Sequence, residues 1–310
     1  MSTDPESREN YGPYLPNIGC QCPSTKQMLP FNDIKALETA LRTHGDKVAA
    51  FLVEPIQGEA GIVVPDDGYL KQVRELCDTF NVLLICDEIQ SGIARTGKLL
   101  CHEWSGIKPD MVLLGKAISG GMYPVSCVLG SKDVMLTVEP GTHGSTYGGN
   151  PLGCAVAIRA LELVRDEKMV SRSEHLGKLF RKGLEDLRNP IIKIVRGKGL
   201  FNAMVIDESK MGGHSAWDLC MLMKEKGLLV GRALKIAHLK SDGEADTLKA
   251  KPTHQNIIRL TPPLIITEEQ IHQALKITYD ALNEISQLKG RKEDEIIPPA
   301  EKHVKVTIEN

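Results

Sequence analysis

The chain has few aromatic residues and almost no net charge. Phe, Trp and Tyr make up 4% of its 310 residues, too few for the stacking platforms that hold single-stranded nucleic acid. Lys plus Arg number 38 against 40 Asp plus Glu, a net charge of −2, so no basic footprint marks the chain for nucleic acid or a membrane surface. No apolar stretch approaches the ~20 residues of a membrane span. Eight cysteines are scattered, with Cys20-Gln21-Cys22 the one close pair, and no repeated CxxC points to a metal. Several cysteines lie in apolar runs, where the thiol behaves as a small hydrophobe, which predicts a reducing compartment and no disulfide framework. The N-terminus, Met1-Ser2-Thr3-Asp4-Pro5-Glu6-Ser7, has neither a basic amphipathic presequence nor an apolar signal core, and the expected location is the cytoplasm. There are no internal repeats.

What remains is the composition of a folded α/β protein. Hydrophobic residues at 42% and charged residues at 25% are ordinary for a globular chain, and its length allows one large domain or two smaller ones. The run Val82-Leu83-Leu84-Ile85-Cys86 ends abruptly in Asp87-Glu88, and the run Met111-Val112-Leu113-Leu114 ends in Gly115-Lys116. Short apolar runs bounded by turn residues read as strands buried on both faces, as in a parallel sheet. In such sheets ligands sit outside the carboxyl ends of the strands, so Asp87 and Lys116 are expected to project into one crevice.

Further elements follow the same logic. Asn32 is the expected cap of a helix with Ile34, Leu37 and Leu41 on its apolar face, stopping at Gly45. Val48–Val53 reads as a strand that ends at Glu54-Pro55 and opens into a loop containing Gly58, Glu59 and Gly61; a helix from about Gly68 to Phe80 comes next. Pro124–Gly130 is a short strand, Thr142–Pro151 a loop, and Leu152–Asp166 a helix. Strands alternating with helices imply a parallel or mixed sheet covered on both faces. After about residue 165 the expected order is helix 171–188, strands near Ile191–Val195 and Leu200–Ile206, a helix at 215–226 capped by Ser215, a strand at Ile257–Leu260 and a helix at 268–288 with a capping box of Thr267 and Gln270. Residues 1–165 are therefore expected to form a large ligand-binding domain, 166–288 a smaller α+β domain and 289–310 a mobile tail.

An acid closing an apolar strand also suits a nucleotide hydrolase, but that reading needs an upstream GxxxxGK[ST] loop, and neither Gly97-Lys98-Leu99 nor Gly115-Lys116-Ala117 supplies the hydroxyl. The flank of Lys116 points elsewhere. Ser119-Gly120-Gly121 leaves the backbone open to a bulky ligand, and a lysine amine forms a Schiff base with an aldehyde cofactor. Pyridoxal phosphate needs such a lysine together with an acid paired to its ring nitrogen.

The stretches Asp87–Gly97, Leu113–Gly121 and His143–Pro151, in this order, resemble the signature of the class III pyridoxal-phosphate aminotransferases. Val53–Pro65, with Lys251-Pro252-Thr253-His254 and Ile258–Leu264, resembles the ornithine-specific subgroup most closely. The resemblance implies the fold-type I architecture, a mostly parallel large domain followed by a small α+β domain. It implies that Lys116 is the catalytic lysine attached to pyridoxal 5'-phosphate, that Asp87 pairs with the ring nitrogen, and that Gln90 hydrogen-bonds the ring hydroxyl. Ser145 and Thr146 would bind the cofactor phosphate of a partner subunit in a homodimer; His143 is expected to be structural. Arg259 would hold the carboxylate of 2-oxoglutarate or glutamate, and Glu59 would neutralise it when ornithine binds. The implied reaction moves the δ-amino group of ornithine to 2-oxoglutarate, giving glutamate 5-semialdehyde and glutamate, a step in arginine catabolism and proline biosynthesis. No metal, nucleic acid or membrane is expected. Two other readings stay open: a non-catalytic fragment that pairs with a full-length partner, and a class III enzyme for another substrate such as acetylornithine or 4-aminobutyrate.

The chain departs from the family twice. Members carry a long segment before the point matching Ser2-Thr3-Asp4-Pro5, and that segment supplies a phosphate-cradling helix N-terminus, a ring-stacking aromatic and the groups that grip ornithine's α-carboxylate. Taken alone, the 310 residues are expected to expose apolar faces and strand edges, to be poorly stable and to transfer little amine. Between Gly227-Leu228-Leu229 and Lys251-Pro252-Thr253 about 20 residues intervene, Val230 to Lys249, longer than a typical connection. Both departures are expected to reflect an incomplete or misassembled reading frame, with retained intron sequence as one source of the insert.

Overall fold

The computed structural model describes residues 28–228, 231–232 and 256–288. The expectations placed on the N-terminal 27 residues, the 289–310 tail, Lys251–His254 and the 230–249 insert beyond Gly231–Arg232 lie outside the described residues.

Three short strands, β1 (Ala50–Val53), β2 (Leu83–Asp87) and β3 (Met111–Leu114), run parallel, and β4 (Cys127–Gly130) completes the sheet antiparallel to β3. Val53 lies opposite Cys86, and Asp87 opposite Leu113, so the three carboxyl ends are level. Helices α1 (Ile34–His44) and α2 (Tyr69–Thr79) cover one face, where Leu37, Leu41, Leu70, Val73 and Cys77 pack on Val53, Leu84 and Cys86. Alternation sends Leu52, Ile85 and Met111 to the other face, which is less covered; Leu52 is 56% exposed. A single turn, α3 (Lys132–Met135), and the longer α4 (Pro151–Asp166) follow, the latter capped by Asn150 with Pro151 in its first turn.

The cap of the first helix differs from expectation. The cap of α1 is Asp33, whose Oδ1 accepts from Ala36 N at 3.0 Å. Asn32 instead takes a φ of 66° and accepts from Asp66 N at 2.9 Å. Both residue types cap well, and the long-range partner decides between them. The helix ends at His44 with Gly45 as its C-cap, as expected; Gly45 has a φ of −56° and sits close against Phe80, where an added Cβ would lie 3.1 Å from the ring.

The second sheet is antiparallel with order β5 (Ile192–Lys198), β6 (Phe201–Ile206), β8 (Ile257–Leu260), β7 (Gly231–Arg232). Helices α5 (Met169–Asp186), α6 (Ala216–Glu225) and α7 (Glu268–Ile285) enclose its core, built around Leu176, Phe180, Leu184, Met204, Ile258, Ile271 and Leu282. Ser215 caps α6, and Thr267 with Gln270 forms the capping box of α7.

The sheets meet at Arg95. Its carbonyl accepts from Leu200 N at 3.1 Å and Ser173 Oγ at 3.0 Å, while its guanidinium donates to the carbonyls of Leu200 and Pro262. Among the described residues no helix is long and apolar enough to cross a membrane, and no group of three or more His, Cys, Asp and Glu could hold a metal ion. Cys77, Cys86, Cys101, Cys127 and Cys154 are free.

Candidate active site

The parallel register puts Glu54, Asp87 and the Gly115-Lys116 turn at one edge of the sheet. Asp87 is half-buried; its Oδ1 accepts from Ile89 N at 3.0 Å, and Oδ2 has no hydrogen-bond partner among the described residues. Glu88 points the opposite way, as strand alternation requires, and is fully buried. It accepts from the backbone N–H of Cys101, from His102 N at 2.8 Å, and lies 2.7 Å from His102 Nδ1. Of the two adjacent acids, one anchors the 101–105 turn and the other is left available at the edge.

Lys116 follows β3 through the buried Gly115, which packs against Ile89; an added Cβ at Gly115 would sit 3.4 Å from Ile89 Cγ2. Lys116 itself has a φ of 42° and is exposed, and its ammonium makes no hydrogen bond or ion pair among the described residues. A left-handed backbone costs a lysine about 1–2 kcal/mol, and strain of that kind collects at functional sites.

Gln90 lies over the turn after β1. An added Cβ at Gly58 would fall 2.6 Å from Gln90 Oε1, so only glycine permits this approach. Gly58 N in turn donates to Glu54 Oε2 at 2.9 Å. Glu54 is a site residue not singled out from the sequence, although Val53-Glu54-Pro55 shows the same pattern, an acid closing a buried strand, that singled out Asp87. Burial pushes its carboxyl above the ordinary 4.5; the Gly58 N–H opposes the shift, and Asp87 and Glu59 add to it. A carboxyl raised on folding makes a contribution that is fully present below its unfolded pKa and is lost as pH rises through the folded one. Glu54→Gln keeps an acceptor for Gly58 N–H but cannot ionise. It is expected to melt at a higher temperature than the unaltered chain near about pH 8, with the difference closing as the pH falls below 4.5. Melting curves across a pH series check this; a lower midpoint for the variant at the alkaline end would contradict it.

The loop from Glu54 is closed by reciprocal hydrogen bonds between Gln57 and Val63 at 3.0 and 2.9 Å. At its tip Glu59 Oε2 accepts from Arg259 Nη1 at 2.9 Å, with side chains 49% and 21% exposed. A pair this open contributes about 0.2–1 kcal/mol and separates at little cost. Close by, Arg196 from β5 donates through Nε and Nη2 to Gly61 O at 3.2 and 2.8 Å.

Ser145 and Thr146 lie elsewhere, on an exposed loop where Ser145 Oγ accepts from Gly148 N at 2.9 Å. Among the described residues no hydrogen bond joins that loop to Asp87, Gln90 or Lys116, and His143 is exposed there too. The structure thus brings Asp87, Gln90, Lys116, Glu59 and Arg259 to one end of the first sheet and leaves Ser145 and Thr146 apart.

An aldehyde cofactor with a protonatable ring nitrogen needs a free amine and an unshared carboxylate oxygen, and a nearby amide can serve a ring hydroxyl. Lys116, Asp87 Oδ2 and the Gln90 amide, which has no hydrogen-bond partner among the described residues, meet those requirements.

A family model described as Aminotransferase class-III matches residues 1–282. A protein of Emericella nidulans named ornithine aminotransferase is 69% identical over 310 residues, covering 100% of this chain and 64% of its own; the chain spans less than two thirds of that relative. Among solved structures, the ornithine aminotransferase of Toxoplasma gondii, described with partial occupancy of PLP at its active site, is 41% identical with a TM-score of 0.76 over 92% of this chain and 60% of that one. The acetylornithine aminotransferase of Elizabethkingia anophelis is 50% identical with a TM-score of 0.71, over 82% and 62% of the two chains.

Proposed function

Because the chain belongs to the class III aminotransferases, we propose that it moves the δ-amino group of L-ornithine to 2-oxoglutarate, giving glutamate 5-semialdehyde and glutamate, with pyridoxal 5'-phosphate as its cofactor. The observation that carries the substrate assignment is the Glu59–Arg259 pair at 2.9 Å beside the strand ends. When bound, the cofactor supplies an aldehyde that condenses with amines and a ring that stabilises negative charge on the adjacent carbon. Lys116 would hold it through its side-chain amine, and the same amine, when free, is placed to carry a proton. Asp87 Oδ2, free of other partners among the described residues, would take the ring nitrogen, and Gln90 would serve the ring hydroxyl. With ornithine bound, Glu59 occupies Arg259, so no unpaired cation faces the donor's amino group. With 2-oxoglutarate, Arg259 leaves Glu59 and takes a carboxylate through two parallel N–H donors.

Two copies are proposed to act together, Ser145 and Thr146 of one serving the cofactor phosphate held by the other; the exposure of that loop supports this arrangement. The free cysteines fit the reducing cytoplasm.

A second reading, acetylornithine as donor, is favoured by the 50% identity to the Elizabethkingia anophelis enzyme of that name. One experiment separates the two. Pyridoxal phosphate followed by borohydride is expected to label the peptide containing Lys116. Transfer to 2-oxoglutarate is then compared among ornithine, acetylornithine and 4-aminobutyrate, and the ratio between donors is the diagnostic quantity. Preference for ornithine is expected; preference for acetylornithine moves the assignment to the second reading, and a label on another lysine overturns the site.

A further inference from the structure

The loop carrying Glu59 is held to the second sheet at two points of different chemical character. One is the half-open ion pair from Arg259 on β8. The other is Arg196 on β5, which directs Nε and Nη2 to a single carbonyl oxygen, that of Gly61. Arg196 is half-buried, no carboxylate pairs with it among the described residues, and burial lowers its pKa. A half-buried cation with two donors on one peptide oxygen does not serve charge compensation. It fixes a segment of backbone, and charge-assisted hydrogen bonds are the stronger kind.

The segment it fixes is a closed ring. Gly61 N and Ile62 N both donate to Gly58 O at 3.1 and 3.2 Å, inside the Gln57–Val63 bridge, and Glu59 sits between these bonds. Gly61 also lies close against β8. Its φ is 99°, and an added Cβ would lie 2.7 Å from Ile257 Cδ1, two residues before Arg259. The first sheet end is tied to the same ring through Glu54 and Gly58 N. Two fixed ties therefore flank one ion pair that can open.

We propose that Arg196 is a positioning residue for the Glu59–Arg259 pair, keeping the loop docked while the pair is open so that Glu59 returns to Arg259 when the next diamine binds. The proposal rests on the function stated above and extends it, separating the switch (Glu59–Arg259) from its anchor (Arg196–Gly61). It implies an asymmetry between the two half-reactions. Loss of the anchor leaves Arg259 unpaired more often, which harms the donor without a carboxylate at that end and spares the acceptor that has one.

The test uses Arg196→Ala and Arg196→Lys, with each half-reaction followed separately. For Arg196→Ala, kcat/KM for ornithine is expected to fall about tenfold while KM for 2-oxoglutarate changes less than about twofold; Arg196→Lys, with one donor in reach, recovers part of the loss. Hydrogen exchange at the amides of Gly61, Ile62 and Val63 is expected to quicken in Arg196→Ala, a readout independent of turnover. Equal losses in both half-reactions, or none in either, overturn the proposal. If the unaltered chain transfers nothing from ornithine, the proposed function fails, and the exchange measurement still decides the anchor: unchanged protection in Arg196→Ala overturns it, faster exchange supports it.

Discussion

Replacing Lys116 by arginine is expected to lower amino transfer by at least about 10³-fold without unfolding the chain. Arginine keeps the positive charge and most of the length, but its guanidinium is never deprotonated in a protein and cannot act as an amine nucleophile. The variant therefore separates the proposed covalent role from a purely electrostatic one, under which it would retain activity. Borohydride labelling should disappear in parallel. The backbone offers a second control. Lys116 holds a φ of 42° with no interaction of its ammonium among the described residues, so nothing visible in the fold compensates a left-handed lysine. Lys116→Gly is expected to match the unaltered chain in stability or exceed it by up to about 1 kcal/mol, measured by urea titration, while being equally inactive. A residue whose removal stabilises the fold and destroys activity is held in place by function. A glycine variant markedly less stable than the unaltered chain would show that Lys116 has a structural partner.

The strand-end logic was legible because it depends on short-range signals. Apolar runs of four or five residues stopped by turn formers become β2 and β3, and level parallel strands bring Asp87 and the Lys116 turn to one edge. The helix caps at Ser215 and Thr267 were legible for the same reason. What escaped depends on the other side of each contact. Alternation puts Asp87 and Glu88 on opposite faces but does not say which face the 101–105 turn covers, so the inward role of Glu88 appears only with its donors from Cys101 and His102. Asn32 and Asp33 are equal caps until Asp66 N claims one of them. Glu59 and Arg259 are 200 residues apart, and by residue type each is an ordinary surface charge; family resemblance, not periodicity, singled them out. Arg196 had no signal at all, since its partner is a backbone carbonyl on another element.

Gly177→Ala is expected to be the most damaging single methyl that can be added among the described glycines, costing more than about 3 kcal/mol. In the interior of α5 alanine is preferred to glycine by about 1 kcal/mol, so propensity alone predicts the opposite sign. Packing decides. A Cβ at Gly177 would lie 1.8 Å from Gly199 O and 2.1 Å from Gly199 C, which are backbone atoms and cannot rotate away. Gly199 cannot retreat either. Its own φ is 54°, and a Cβ there would strike Thr96 C at 2.3 Å and Gly97 N at 2.5 Å, so helix, turn and loop are stacked backbone on backbone. Any shift that accommodates the methyl also strains the Ser173 bridge between Arg95 O and Leu200 N, at 3.0 and 3.1 Å. It further pulls the Arg95 guanidinium from the carbonyls of Leu200 and Pro262. That guanidinium is buried enough for its pKa to fall to about 10, so stranding it carries a desolvation cost on top of the steric one. Gly144, with nothing within 4 Å of its would-be Cβ, is the matched control; Gly144→Ala should stay within about 0.5 kcal/mol. Urea titration of both variants checks the contrast. A loss under about 1 kcal/mol in Gly177→Ala would mean that α5 slides freely over the Gly199 turn. The seam would then be too soft to hold Arg196 and Arg259 in register with the Glu59 loop, because both arginines reach that loop from the sheet that α5 covers.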